Sequence, residues 1–344
     1  MSFHKKALWL LQLVQKLKRR LIKLNTNRIT KNKLWTNIKT KYSIYFVLIA
    51  LFIFCWLANK NFVSVGNLQN ISTQISVGTI LAFGQTLLII SGMLDLSSAS
   101  VLALAGVLSV SVYTQTGSLT LSFVVAILVG VGCNVLNGLM VTKYKTPPFI
   151  ATLAMMAMAR GAALLYTNGQ NIYQIGDYVK FGQGSIFGIP TPMIFFVGTL
   201  VITWYLLRHT RFGRSIYAIG GNEEAANASG INVNRIKMRA FIINGIFVGI
   251  AGVLFMSRVN GGMPNGAIGY EFKALTAAVI GGTSFTGGIG SASGTLAGAF
   301  IVGFLDNIMV LVGVNSYLQQ IVRGAIIALA VMYDIWAKTM RKKR

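Results

Sequence analysis

Apolar residues run through this chain in long blocks separated by short polar stretches, without the alternation of a half-buried strand. Many blocks reach about 18 to 22 residues, the length at which a helix crosses a hydrocarbon core of roughly 30 Å. Inside lipid every backbone polar group must be satisfied within the protein, which favours helices as the spanning element. The pattern predicts spans near 43–58, 71–90, 98–113, 119–140, 146–166, 193–207, 240–257, 272–282, 294–314 and 318–336. The expected fold is all-α and polytopic, with about 10 transmembrane helices. Pro147 and Pro148 suit the opening of the fifth helix, where a missing donor costs nothing. Residues 167–191 form a polar excursion, and a second polar stretch over 208–239 separates the sixth and seventh spans.

Composition fits this reading. The chain is 54 % hydrophobic and 11 % charged, and its 37 glycines against 5 prolines suit helices that approach through small residues. Gly245 with Gly249 and Gly294 with Gly298 have the spacing for such contacts. Cys55 and Cys133 both fall within spans, so they are expected to pack in the core and not to form a disulfide.

A net charge of +24 would suggest nucleic acid in a soluble protein, but its placement points elsewhere. Twelve of the 31 basic residues lie within 1–41, where Leu10, Leu13, Val14, Leu17, Leu21 and Leu24 recur at helical spacing. That leader reads as a basic amphipathic helix on an anionic membrane surface, or as a solvated tail. It has neither the aromatic-basic pattern of an RNA-binding module nor the compact apolar core and cleavage site of a signal peptide. Ten spans put 1–41, Lys143 with Lys145, the 208–239 loop and the 338–344 tail on one side, together holding 25 of the 31 basic residues. By the positive-inside rule that side is cytoplasmic and 167–191 is exterior. The expected organisation is a basic leader over 1–41, a transmembrane domain over 42–336 and a basic tail over 337–344.

Two of only seven acidic residues, Glu223 and Glu224, sit in the 208–239 loop between basic flanks. Residues 223–229 suit a short helix capped by Asn222, with both carboxylates in its first turn and Gly230 at its exit. A polar helix between spans must face something other than lipid.

The Glu224-Ala225-Ala226 triplet, with Gly230 four residues beyond Ala226, resembles the cytoplasmic EAA loop of ABC importer permeases. Thr210-Arg211-Phe212-Gly213-Arg214 and Gly230-Ile231-Asn232-Val233 are similar to the branch containing ribose, galactose, arabinose, xylose and autoinducer-2 permeases. Asn137-Gly138, Pro147-Pro148-Phe149-Ile150-Ala151-Thr152-Leu153, Ala159-Arg160-Gly161, Tyr270-Glu271, Val279-Ile280-Gly281-Gly282-Thr283-Ser284, Gly294-Thr295-Leu296 and Gln319-Gln320-Ile321-Val322 extend the resemblance in order. Two departures stand out: Gly92-Met93-Leu94-Asp95-Leu96-Ser97-Ser98-Ala99 replaces two glycines of the usual string, and Asp306-Asn307 stands where most relatives have an Asn pair.

The resemblance implies a permease subunit, paired with a copy or a close paralogue, in the inner membrane. It further implies a separate ATPase coupled through Glu223, Glu224, Ala225, Ala226 and Gly230, and an extracytoplasmic protein that delivers a monosaccharide, ribose-like by first expectation. The chain itself has no Gly-x-x-x-x-Gly-Lys-Ser/Thr string to cradle nucleotide phosphates, so energy must come from a partner or a gradient. No enzymatic role, cofactor or metal is expected, since His4 and His209 are far apart and no nucleophile-base pair stands out. Gln85, Asn134, Asn137 and Asn244 suit either a pathway for hydroxylated solutes or hydrogen bonds between helices. Arg160, Asp306 and Asn307 have the same two readings, with Arg323 a candidate partner for Asp306. Asp95 and Glu271 are expected at span ends in solvated or capping positions. The glycines at 281, 282, 287, 288 and 290 imitate a phosphate loop but suit close packing. An ion-coupled secondary transporter is the rival reading, with Asp306 as its coupling carboxylate.

Overall fold

A computed structural model describes residues 43–342, so the basic leader lies outside the described residues. Two compact units are distinguished, 1–47 and 48–344; of the first, only the helical residues 43–47 are described. In chain order the helices are α1 (Ser43–Ala58), α2 (Val65–Ile90), α3 (Ser98–Thr116), α4 (Leu119–Thr142), α5 (Pro148–Thr167) and α6 (Lys180–Gln183). There follow α7 (Thr191–His209), α8 (Arg211–Gly221), α9 (Glu223–Ala228), α10 (Val233–Arg258), α11 (Tyr270–Ile280), α12 (Ala292–Leu311) and α13 (Ser316–Lys342). A two-residue hairpin pairs Ser185–Ile186 with Ile189–Pro190 just before α7.

Seven of these helices, α2, α3, α4, α5, α7, α10 and α12, are long and apolar enough to cross a membrane. The shorter apolar stretches Ser43–Ala58 and Ser316–Met332 add to them. The chain is an all-α polytopic membrane protein. Local chemistry sets the helix starts: Ser118, Asn232 and Ser291 accept from backbone amides at the heads of α4, α10 and α12. Proline occupies the first turn of α5 and of α7.

The span expected at 272–282 is a helix of 11 residues, rising about 16 Å, roughly half the hydrocarbon thickness. Gly261, Gly262, Pro264, Gly266 and Gly269 hold the preceding chain out of a helix, and Gly269 at φ +87° adopts a backbone that L side chains resist.

The core forms around α2 and α10, both largely buried. Small residues let backbones meet: a Cβ on Gly130 would lie 2.4 Å from the carbonyl of Gly245, and one on Gly249 would lie 2.6 Å from that of Ala126. Gly294 and Gly298 bring α12 onto α11 in the same way, against the carbonyls of Gly281 and Ala277. Cys55 is buried in α1, Cys133 is half-buried in α4, and both are free thiols.

Candidate functional site

The polar loop over 208–239 contains two helices where the sequence suggested one. Thr210 caps α8, its hydroxyl accepting from Gly213 at 3.1 Å. Phe212, Ile216 and Ile219 give α8 its apolar face, and Ile216 and Ile219 are buried. That spacing was the available signal for α8, which the acidic stretch overshadowed.

Asn222 then caps α9, accepting from Ala225 at 2.9 Å, with Glu223 and Glu224 in the first turn and Ala226 buried. Gly230, at φ +83°, makes the exit turn, a conformation that glycine adopts without strain. Lys237 on α10 holds Glu223 in an ion pair of 2.7 Å. Glu224 and Ala225 are exposed. A polar hollow beside α9 is lined by Lys145, Glu223, Glu224, Asn227 and Asn234, and Lys145 donates to Asn234 at 2.9 Å.

Helix α8 rests directly on two other segments. A Cβ on Gly220 would lie 1.8 Å from the carbonyl oxygen of Ile90, the last residue of α2, and 2.4 Å from the amide nitrogen of Gly288. Gly288 donates to that same Ile90 carbonyl at 2.8 Å, and the Tyr217 hydroxyl donates to the Gly290 carbonyl at 2.7 Å. Burial pushes the Tyr217 phenol above its ordinary pKa, which keeps it a donor. The glycines over 281–290 therefore pack the turn between α11 and α12 against α8 and α12, as the close-packing reading anticipates.

Four of the predicted polar residues surround Asp95 between α2 and α3. Asn244 of α10 donates to its carboxylate at 2.7 Å and to the Asn134 amide of α4 at 2.9 Å. The Gln85 side-chain amide binds the Asp95 backbone, donating to its carbonyl and accepting from its N–H. Asn137 donates to the Ser97 hydroxyl, and Ser97 in turn donates its amide to Asp95 at 2.7 Å. All of these side chains are buried, so of the two roles expected for Asp95 at a span end it takes the capping one, bound to the Ser97 amide at the head of α3, and not the solvated one. The bonds it accepts from Ser97 and Asn244 satisfy its side-chain oxygens in the turn between α2 and α3.

Asp306 lies 2.7 Å from Lys273 of α11 and 2.7 Å from Arg323 of α13, so the anticipated Arg323 partner has a second cation beside it. Asn307 exchanges side-chain hydrogen bonds of 2.9 and 3.0 Å with Asn67 of α2. Arg160 of α5 donates to the carbonyls of Pro264 and Gly266, satisfying backbone groups that the break before α11 leaves outside a helix. Glu271 accepts from the Gly269 amide at 3.1 Å; it is a capping residue as expected, yet only 7 % exposed. A cleft of about 300 Å³ opens between α11, α12 and α13 beside Glu271, Lys273, Asp306 and Arg323.

Residues 67–331 match the family described as branched-chain amino acid transport system / permease component. The ribose import permease protein RbsC of Escherichia coli (strain K12) is 41 % identical over 281 residues, 80 % of this chain and 88 % of the relative. RbsC of Bacillus subtilis (strain 168) is 39 % identical over 300 residues, 86 % and 93 % of the two chains. The L-arabinose transport system permease protein AraH of Escherichia coli (strain K12) is 37 % identical over 303 residues, 88 % and 92 %. No solved structure matches the chain. With seven membrane-length apolar helices and a family match across most of its length, the chain belongs to this family of ABC importer permease components, multi-pass proteins of the inner membrane.

Proposed function

We propose that the chain is the membrane subunit of an ATP-driven monosaccharide importer, with a ribose-like sugar as its first candidate. It works as a pair with a second copy or a close paralogue. A separate ATPase docks on α8 and α9, and an extracytoplasmic sugar-binding protein delivers the solute at the opposite end. The observation that carries this reading is the α8–α9 hairpin: its acidic tip is exposed while its base is in backbone contact with α2 and with the turn after α11. The similar ribose and arabinose permeases support the sugar class.

Ten passes follow if α1, α13 and the coil over 259–269 together with α11 each count as one beside the seven long helices. Both termini then lie in the cytoplasm with α8 and α9, which the distribution of basic residues supports. In that arrangement 1–41 is a basic leader at the inner surface, 42–336 the permease domain and 337–344 a basic tail, with no nucleic-acid role. Glu224, Ala225, Ala226 and Gly230 form the coupling tip, and Glu223 fixes its orientation through Lys237. Gln85, Asn134, Asn137, Asn244 and Asn307 fasten helices to one another, and Arg160 fastens the broken segment before α11. A gradient-driven carrier is not favoured, because Asp306 is engaged in ion pairs with both Lys273 and Arg323 and the similar chains are ABC permeases.

Affinity purification from the native membrane followed by mass spectrometry tests the proposal. A P-loop ATPase should accompany the parent chain and be lost from a Glu224→Arg variant that still inserts. Absence of any ATPase, under conditions that preserve other membrane complexes, would overturn it.

A further inference from the structure

The cleft between α11, α12 and α13 is not used by the coupling machinery. It measures about 300 Å³, at the low end of small-ligand sites, and its wall is mostly apolar with a few polar groups converging at one side. Those groups are largely paired with one another. Lys273 and Arg323 both engage Asp306, and Glu271 binds a backbone amide of its own helix start.

An arriving cation would meet Lys273 and Arg323, and an arriving anion would meet Glu271 and Asp306. What the cleft offers without opposition is directional. Lys273 has N–H groups to spare beyond the one used on Asp306, Arg323 beyond those used on Asp306 and Gln319, the Glu271 carboxylate has lone pairs beyond the one bound by Gly269, and Gln320 brings an amide that both donates and accepts. The ring of Phe272, 47 % exposed, stands beside them. Hydroxyl groups both donate and accept, and the C–H face of a sugar ring stacks on an aromatic ring. The chain path supports the assignment as well: irregular backbone at membrane depth is tolerated where it is buried in protein or lines a cavity, and the coil before α11 ends at this cleft through Ile268 and Gly269.

We propose that this cleft is a transit site for one neutral monosaccharide, held by Glu271, Gln320, Arg323 and Phe272. The inference rests on the sugar-importer reading and adds a defined intramembrane stop to it.

Saturation-transfer NMR with D-ribose tests it on the permease–ATPase complex in nanodiscs, without the binding protein. The parent should transfer saturation to ribose, arabinose should compete, and the anionic acid ribonate should not. Gln320→Leu and Phe272→Ala, both at exposed positions, should each weaken binding about fivefold, the worth of one hydrogen bond or a stacking contact. No transfer above empty nanodiscs, equal transfer in the variants, or equal competition by ribonate would overturn the site. Uptake by the parent complex reconstituted with its binding protein separates the two readings. Import without a ribose signal sinks only the transit site, whereas failure to import any monosaccharide sinks the importer reading.

Discussion

Gly220 of α8 lies so close to Ile90 at the end of α2 that a Cβ added to it would stand 1.8 Å from the Ile90 carbonyl oxygen. Nothing flexible borders the contact, since the neighbours are backbone atoms. Gly220→Ala must push α8 off both α2 and the 281–290 turn, at a cost of about 1–3 kcal/mol. The expected outcome is a lower melting temperature for the purified complex and sugar uptake that falls well below its ATP consumption, read by paired transport and phosphate-release assays.

Tyr217 provides a milder probe of the same junction. Tyr217→Phe deletes the hydrogen bond to the Gly290 carbonyl and little else, a loss of about 1 kcal/mol. Uptake should drop less than in Gly220→Ala, with the complex still assembled on size-exclusion chromatography.

The two glutamates of α9 should behave differently. Glu223 is engaged by Lys237, whereas Glu224 is exposed in the polar hollow. Glu224→Ala should weaken ATPase retention in pull-downs more than Glu223→Ala. The Glu223 ion pair, itself half exposed, is worth about 0.2–1 kcal/mol and should appear mainly as a small thermal shift.

Asp306 should prove to be a structural anion. Asp306→Asn leaves Lys273 and Arg323 without their shared partner, and breaking a buried pair of this kind costs about 3–5 kcal/mol. Folded yield and melting temperature should fall, and removing Lys273 as well, in Asp306→Asn/Lys273→Met, should recover part of the loss. A protonophore should leave uptake by the parent unchanged in ATP-loaded proteoliposomes.

Asp95→Asn tests the buried cluster. An amide cannot accept from Ser97 and Asn244 as the carboxylate does, so a donor is left facing a donor at a cost of about 1–3 kcal/mol. Melting temperature is the direct measurement.

The long spans were legible because lipid imposes a simple rule on composition, and α2, α4 and α10 fall close to where hydropathy put them. The caps at Asn222 and the turn at Gly230 were equally readable, since each rests on local backbone chemistry. What escaped depends on distant partners. The apolar run over 272–282 reads as a span although it is only 11 residues long, and what shortens it is the break in the glycines and proline before it. The polar residues Gln85, Asn134, Asn137 and Asn244 were each visible, but their convergence on Asp95 needs four helices folded together. The second cation on Asp306 comes from a residue 33 positions earlier, a separation that sequence spacing does not report.

The brevity of α11 ties the two ends of the protein together mechanically. Its last turn leads into the 281–290 turn gripped by α8, while its first turn carries Glu271 and Lys273 into the cleft. Its three turns are the whole length of regular structure between those two contacts. The contact of α8 with Gly288 and the cleft beside Glu271 thus lie at opposite ends of one short segment, so a change at either end has few residues to cross before it meets the other.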